Sequence, residues 1–305
     1  MAETLTIALV GNAPVEKHEM LNALLSEDAL TEMYDISLYG TDGQHDTEAF
    51  LDALADCREG QVDGVVCLPL STSPRKIASS SKASEQIMPI MINSICRMAA
   101  VKGHVTANEA ASTLSKENII ERTTQLYKAL KRDLLIQNPR IAITSLNSDI
   151  STVEGSAEIN IIAPAVSELV NSGIQAFGPV ASSKLFEGND FMAFDAVLQM
   201  YDGQLNDVFR KIAPDGSVTL FTGTEVPVTQ AEPDQLLHAI TLAGDVMRNR
   251  KEYDLPFSNP LQKLYREKKE DGDKARFAVK KKGFNPAEHR RENVTYVKEE
   301  NKSNS

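Results

Sequence analysis

The sequence predicts an α/β fold built around a mostly parallel sheet, and three observations support this prediction. Short apolar runs that end in glycine, proline or polar residues recur along the chain, as in strands buried on both faces. Stretches with helical spacing separate these runs. Strand and helix therefore alternate, which is the pattern of parallel βαβ units with right-handed crossovers. The predicted strands cover residues 5–11, 34–40, 62–70, 140–146 and 194–200.

The other elements follow in order along the chain. Residues 115–135 have the clearest helical pattern, with Ser115 and Asn118 as candidate N-caps before an apolar stripe. The segment 158–186 is predicted to form a helix, a Gly-capped turn, a short strand and a Gly-Pro loop. The remaining predicted elements are helices at 16–33, 47–57, 85–95 (with a break at Pro89) and 233–250, a strand at 99–105 and a Ser- and Lys-rich loop at 71–84.

Composition and charge exclude several classes of protein. The chain has 42% hydrophobic and 25% charged residues and no apolar run of the ~18 residues that suggest a membrane span. Its acidic start, MAETLTIALVG, lacks the basic segment of a secretion signal, so we expect a cytoplasmic protein. The three cysteines are scattered, which argues against a disulfide framework or a cysteine zinc site.

Charge is distributed unevenly along the chain. Residues 263–305 hold 13 basic and 8 acidic side chains, a net charge of +5, whereas the rest of the chain has a net charge of −16. An acidic body argues against a nucleic-acid-binding surface. The composition of residues 266–305 predicts a basic, weakly ordered tail.

Two carboxylates are predicted to lie at one edge of the sheet. Asp149 follows the strand at 140–146, and Asp202 follows the strand at 194–200. In open α/β sheets, ligands bind in the crevice outside the carboxyl ends of the strands, so both residues are candidates for a functional site. The alternative is that they are loop acids that cap helix N-termini.

Several segments carry a resemblance to one family of enzymes. The chain has LNSDIS (146–151) where that family has LNPHAG, and MYDGQL (200–205) where it has MYHDQG. Residues 49–70 resemble the segment that leads to the family's TAPINK loop. Residues 97–106, RMAAVKGHVT, resemble the family's strand RVALVTTHLP, and residues 246–265 resemble the C-terminal helix of some members. The chain thus resembles the 4-hydroxythreonine-4-phosphate dehydrogenase family, the NAD- and metal-dependent enzymes of pyridoxal phosphate synthesis.

The resemblance implies a two-lobed α/β/α fold of the isocitrate and isopropylmalate dehydrogenase type. One lobe is expected to combine residues 1–100 with 225–265, and the other to hold residues 101–224. The family's active-site cleft is completed by a second subunit, so a homodimer is implied, with NAD as cofactor and a small phosphorylated or acidic molecule as ligand. No catalytic or NAD-binding residue of this chain is assigned by the resemblance, and no Rossmann glycine fingerprint is present or expected.

The resemblance also implies a metal site. The three histidines that bind the family's divalent metal fall on His104, Asp149 and Asp202 of this chain. One imidazole and two carboxylates still suit a metal, but they favour Mg²⁺ or Mn²⁺ over Zn²⁺. The alternative is a histidine and two loop acids with no shared ligand.

The family's substrate-binding motifs are largely missing. No GHTE motif lies between residues 71 and 87, the opening GDPAGIGPE is replaced by GNAPVEKHE (11–19), and SVTLFTGTEVPVTQ (217–230) lacks the family's Asn and Arg. The family's substrate-binding Lys falls on Arg210, which could equally be an exposed helix residue. Two functions are therefore predicted as alternatives: a dehydrogenase with weak or absent activity on the family's substrate, and a non-catalytic paralogue that acts as a binding, regulatory or structural subunit.

Overall fold

The computed structural model of the 305-residue chain describes residues 4–11, 28–40, 45–70, 87–103, 105–147 and 156–255. The chain divides into two compact units, Met1–Asp254 and Leu255–Ser305. The predicted basic tail, the loop at 71–84 and most of the helix at 16–33 lie outside the described residues.

Ten strands and eight α-helices lie within the described ranges. The strands are β1 (Leu5–Val10), β2 (Tyr34–Tyr39), β3 (Gly64–Cys67), β4 (Met88–Ile92), β5 (Arg97–Lys102), β6 (Arg140–Thr144), β7 (Gln175–Val180), β8 (Ala196–Tyr201), β9 (Val218–Thr222) and β10 (Val228–Ala231). The helices are α1 (Asp28–Thr31), α2 (Asp46–Arg58), α3 (Ala107–Thr113), α4 (Lys116–Arg132), α5 (Ala163–Asn171), α6 (Ser182–Glu187), α7 (Asn206–Ile212) and α8 (Leu236–Asp254). Short π- and 3₁₀-helical segments cover Glu158–Ile162, Asp190–Ala193 and Pro233–Gln235.

The described strands form one sheet in the order β2-β1-β3-β10-β9-β4-β5-β8-β6-β7. Strands β2, β1, β3 and β10 run parallel to one another, as do β5, β8, β6 and β7. Between these two blocks, β9 and β4 pair antiparallel with their neighbours. The sheet is therefore mixed but mostly parallel, and the predicted α/β fold with this kind of sheet is confirmed.

All five strands predicted from apolar runs are present as β1, β2, β3, β6 and β8, and the strand predicted at 99–105 is β5. The helix predicted at 115–135 is α4, and Ser115 is its N-cap because its Oγ accepts a hydrogen bond from the Asn118 N–H at 3.3 Å. The helix predicted at 233–250 is α8 with a preceding 3₁₀ turn.

The helix predicted at 85–95 is wrong. Residues 88–92 form β4, which pairs antiparallel with β9 on one side and β5 on the other. A turn then leads into β5, and the Asn93 Oδ1 accepts hydrogen bonds from the N–H groups of Ile95 at 3.0 Å and Cys96 at 2.7 Å. The short apolar run IMPIMI is compatible with a buried strand as well as with a helix. It forms a strand because both of its edges pair with neighbouring strands.

The predicted Gly-Pro loop is also corrected, because Gly178 and Pro179 belong to β7. The register between β6 and β7 shifts there, so that the extra residue of β7 forms a bulge. A Cβ atom at Gly178 would lie 2.4 Å from the carbonyl oxygen of Ile143, which only glycine avoids. Close packing of β7 on β6 therefore requires this glycine.

Separate apolar clusters cover the two parallel blocks. One packs α4 and α5 against β4 to β8, with Ile119, Leu126, Leu130, Ile141 and Ile143 among its fully buried members. Two others cover opposite faces of β1 and β3, with α8 on one face and α2 on the other.

The predicted lobe boundaries stay a prediction. Among the described residues, no helix combines the length and the apolar composition that a membrane span requires.

Candidate strand-end site

Three neighbouring parallel strands end at the same edge of the sheet. Strand β8 lies between β5 and β6, and Lys102 at the end of β5 is in register with Tyr201 at the end of β8. The next residue, Asp202, donates its N–H to the Lys102 carbonyl oxygen at 3.0 Å. The segments that follow β5 and β6 carry His104 and Asp149, both of which lie outside the described residues. The structure therefore describes Asp202 alone of the three predicted metal ligands.

Asp202 is half-buried in the turn that connects β8 to α7. Its Oδ1 accepts a hydrogen bond from the Asn206 Nδ2 at 3.1 Å. Asn206 in turn accepts, through Oδ1, a hydrogen bond from the Gln199 Nε2 at 3.2 Å. Gln199 is fully buried in β8, and its Oε1 accepts from the Leu205 N–H at 2.8 Å. A relay of two amide side chains thus connects the Asp202 carboxylate to the interior of the strand.

A second amide side chain joins the loops that follow β8 and β6. The Gln204 Nε2 donates to the carbonyl oxygens of Ser145 at 2.8 Å and Leu146 at 3.2 Å. The Gln204 Oε1 accepts from the Met200 N–H at 2.9 Å. Because these bonds satisfy backbone groups on both strands, Gln204 fixes the Asp202 turn relative to the loop that leads to Asp149.

Glu158 holds the start of that loop. Its side chain is almost completely buried, and Oε1 accepts hydrogen bonds from both the N–H and the Nδ2 of Asn147, each at 3.0 Å. Burial has the largest single effect and raises the pKa of the Glu158 carboxyl, but the hydrogen bonds from Asn147, the Glu158 N–H and neighbouring donors together lower this pKa. The carboxylate is therefore ionised at neutral pH, and it ties the end of β6 to the π-helical turn before α5.

The site is built to orient a carboxylate, but the described residues do not complete a metal centre. No group of three or more His, Cys, Asp or Glu side chains in the described ranges is arranged to hold a metal ion. Asp202 itself fits one carboxylate ligand, because a hydrogen bond from Asn206 to one oxygen is the support that ligating carboxylates usually have. The full set of His104, Asp149 and Asp202 stays a prediction.

Arg210 is one helical turn after Asn206, the residue whose amide is bonded to Asp202. It is on α7 with its side chain 75% exposed, and it pairs with Asp207 at 3.9 Å. Arg210 also lines a small cavity of about 170 Å³ together with Asn93, which precedes β5 and whose Nδ2 donates to the Phe209 carbonyl at 3.3 Å. The substrate-binding role of Arg210 stays a prediction.

Sequence reasoning missed the polar residues that support the site. Gln199, Gln204, Asn206 and Glu158 were not among the predicted site residues. One signal was available: Gln199 is the one polar residue in the apolar strand AVLQMY, and a buried amide needs hydrogen-bond partners. Its partners are on the turn that carries Asp202, so this signal points to the site.

Comparisons with known proteins identify the family. Residues 37–234 match the family model described as pyridoxal phosphate biosynthetic protein PdxA. A 4-hydroxythreonine-4-phosphate dehydrogenase from Bacteroides thetaiotaomicron is 30% identical over 253 residues, which cover 73% of this chain and 69% of that enzyme. The enzyme of the same name from Xanthomonas axonopodis pv. citri is 26% identical over 187 residues, which cover 57% of this chain and 58% of that enzyme.

A solved structure shows the same fold. The 4-hydroxythreonine-4-phosphate dehydrogenase from Klebsiella pneumoniae superposes with a TM-score of 0.63 at 15% sequence identity, covering 81% of this chain and 98% of that one. At this identity the superposition establishes the fold, and the sequence matches establish the relationship. This chain belongs to the family of the pyridoxal phosphate biosynthetic protein PdxA.

Proposed function

We propose that this chain is a divergent dehydrogenase of its family, with weak or absent activity on 4-hydroxythreonine-4-phosphate. The observation that carries the proposal is the side chain at position 202. The turn around it is well supported, since Gln199, Asn206 and Gln204 hold it in place. The turn presents a carboxylate where the family's MYHDQG motif presents an imidazole. We infer that this ordered turn offers different chemistry from the family's.

His104, Asp149 and Asp202 are the residues that would hold a divalent metal, and this donor set favours Mg²⁺ or Mn²⁺ over Zn²⁺. A metal held by these residues would supply a Lewis acid next to the substrate's hydroxyl group, and NAD, if bound, would be the hydride acceptor. Within this scheme Asn206 orients Asp202, and Gln204 keeps the segments after β8 and β6 together.

Weak activity follows from the missing substrate groups. A phosphate monoester carries nearly two negative charges and is normally bound by a cluster of charge-assisted donors. The chain lacks the GHTE motif and the Asn and Arg of the family's later motif. Each such hydrogen bond contributes ~1.5–3 kcal/mol, so the loss of three lowers the rate by ~10³-fold or more.

The second candidate is a non-catalytic paralogue that serves as a binding, regulatory or structural subunit. The surroundings of Arg210 favour it, because the one substrate-binding cation carried over from the family is 75% exposed and pairs with Asp207 at 3.9 Å. In either case we propose a homodimer located in the cytoplasm.

The test is an assay of NADH formation from 4-hydroxythreonine-4-phosphate with NAD and, in turn, Mg²⁺, Mn²⁺ and Zn²⁺. An intact family member with LNPHAG, MYHDQG and GHTE serves as the positive control. We expect a rate at least ~10³-fold below the control with every metal. A rate within tenfold of the control would refute the proposal.

Binding measurements on the same protein preparation distinguish the two candidate functions. Calorimetric titration with Mn²⁺ and with NAD should detect binding of both if a dehydrogenase of changed specificity is correct. Absence of binding for both, in protein that unfolds cooperatively, would favour the non-catalytic subunit.

A further inference from the structure

Helices α4 and α8 belong to different parallel blocks of the sheet and meet at their C-terminal ends. Helix α4 packs on the block of β5, β8, β6 and β7, with Leu126 and Leu130 in its apolar cluster. Helix α8 packs on the block of β2, β1, β3 and β10, with Ala239 and Ile240 in a separate cluster. Within the described residues, neither cluster includes a side chain of the other helix, so apolar packing does not set the position of α8 relative to α4.

A buried ion pair joins the two helix ends. Asp133 directly follows α4, and Arg250 lies near the end of α8. The Arg250 Nε donates to the Asp133 Oδ1 at 2.7 Å and its Nη2 to Oδ2 at 3.0 Å, with both side chains at most 6% exposed. The Asn249 Nδ2 donates to the Asp133 carbonyl oxygen at 2.8 Å. Two consecutive residues of α8 thus hold the end of α4 by its side chain and its backbone.

The same guanidinium also holds the turn between β9 and β10. Its Nη1 donates to the carbonyl oxygens of Thr224 at 3.2 Å and Glu225 at 3.4 Å. This turn joins β9, which pairs antiparallel with β4, to β10, which pairs with β3. Arg250 therefore connects three segments at the place where the two parallel blocks adjoin.

The space beside the ion pair is open. A cavity of about 840 Å³ lies there, lined by the C-terminal half of α4, the turn after β9 and Arg250 of α8. A second ion pair between the two helices, Arg132 with Asp254, has side chains that are 42% and 53% exposed, so it contributes little. The cavity leaves room for α4 and α8 to change their angle, and the Arg250–Asp133 pair is the buried contact that opposes such a change.

Stability alone does not explain a buried ion pair at this place. Two apolar side chains of similar volume are often as stabilising or more, because charged groups lose their hydration on burial. The pair adds direction instead: a guanidinium bonded at two points to a carboxylate accepts few orientations, whereas apolar surfaces can slide on each other.

We propose that the Arg250–Asp133 pair is a latch that fixes the orientation of the two parallel blocks relative to each other. When apolar side chains replace the pair, the blocks adopt several orientations through changes in the twist of the sheet at β9 and β4. No residue of the strand-end site takes part in the latch, so this inference stands apart from the proposed function.

The test is a distance measurement between spin labels on the two blocks of the full chain, by pulsed electron spin resonance. Labels attached at Ala55→Cys on α2 and Ser167→Cys on α5 report on the two blocks, and both positions are exposed. The three native cysteines are buried, and burial raises the pKa of Cys57 to about 12 and of Cys96 to about 11. The introduced thiols therefore react first.

With the latch intact we expect one narrow distance distribution. Arg250→Met/Asp133→Leu should still unfold cooperatively, but its distribution should be at least about twice as broad or show a second peak, because the apolar pair keeps burial without direction. Arg250→Lys keeps the charge and loses the two-point geometry, so it should broaden the distribution as well. This variant decides the question if the double variant does not fold.

Two controls make the result specific. Arg132→Met removes the exposed ion pair between the same two helices and should leave the distribution unchanged. Labels at Ser167→Cys and Lys184→Cys, on α5 and α6 of one block, should give the same distribution in every variant. The proposal is overturned if the folded double variant, or Arg250→Lys in its place, keeps the narrow distribution, or if the distribution is already as broad with the latch intact. Equal broadening in Arg132→Met or between the two labels of one block would overturn it too.

Discussion

The side chain of Gln204 donates a hydrogen bond to the carbonyl oxygen of Ser145, 59 residues away in sequence, at 2.8 Å. Gln204 follows β8 and Ser145 follows β6, so this bond connects the ends of two parallel neighbours. Ser145 is fully buried, and its N–H donates to the Val180 carbonyl at 2.8 Å, which extends the connection to β7. The edge that carries Asp202 is therefore held by side-chain to backbone bonds as well as by the sheet.

Gln204→Ala should destabilise the protein markedly. The substitution leaves the Met200 N–H and the Ser145 and Leu146 carbonyls without their partner, and we expect the free energy of unfolding to fall by ~2–3 kcal/mol. Urea unfolding measures this change. Gln61→Ala is the control, because the Gln61 side chain makes its hydrogen bond to Glu59 on the surface. Similar midpoints for Gln204→Ala and the wild type would show that Gln204 does not support the edge.

Arg250→Met should be among the most damaging single substitutions outside the apolar core. It leaves the Asp133 carboxylate buried without its guanidinium, which costs ~3–5 kcal/mol. The double variant Arg250→Met/Asp133→Leu should recover much of this loss, because no unpaired charge remains. Arg58→Met is the matched control, since Arg58 and Glu225 are 63% and 80% exposed and their pair should matter little. Equal stabilities of the two single variants, measured by urea unfolding, would contradict the prediction.

Glu158 should make the protein sensitive to acid. Burial raises the pKa of its carboxyl, but hydrogen bonds from Asn147, the Glu158 N–H and neighbouring donors together lower it below the ordinary value of 4.5. A carboxyl whose pKa is lowered by folding contributes stability above its unfolded pKa, and this contribution is lost as the pH falls through the folded pKa. Glu158→Gln should therefore be less stable than the wild type at pH 7, and the difference should shrink below about pH 4.5. Unfolding free energies measured from pH 7 to pH 3 test this, and a constant difference would count against it.

The sequence predicted β1, β3, β6 and β8 from continuous apolar runs, because burial on both faces leaves a signal in each of them. It also predicted the edge strand β2, whose side chains are only partly buried. It also predicted that the ends of β6 and β8 share an edge, since parallel neighbours must end on the same side. The prediction was wrong at β4, because the apolar run 87–92 is too short for the spacing of its apolar residues to distinguish a helix from a strand. The hairpin of β9 and β10 was not predicted either, because its pairing depends on β3 and β4, which are distant in sequence.

The supporting residues of the site were harder to predict than the site itself. Asp202 could be singled out because it follows an apolar strand and falls on a family motif. Gln204 bonds to backbone carbonyls, which every residue has, so the side chains of the partner segment carry no trace of the contact. The pairing of Arg250 on α8 with Asp133, the residue after α4, joins residues 117 apart, which local sequence patterns cannot indicate.

Asn206→Ala should weaken metal binding if Asp202 is a ligand as proposed. The substitution removes the amide that donates to the Asp202 Oδ1, so the carboxylate is less firmly oriented. Loss of such a supporting partner typically lowers metal affinity by ~10–100-fold. Calorimetric titration with Mn²⁺ measures the change, and Asn118→Ala is the control because the Asn118 amide donates to the Thr113 carbonyl near the start of α4. If wild-type protein binds Mn²⁺ and Asn206→Ala binds it equally well, Asp202 is not held for a metal by this relay. If the wild type does not bind Mn²⁺ at all, the proposed metal site is wrong.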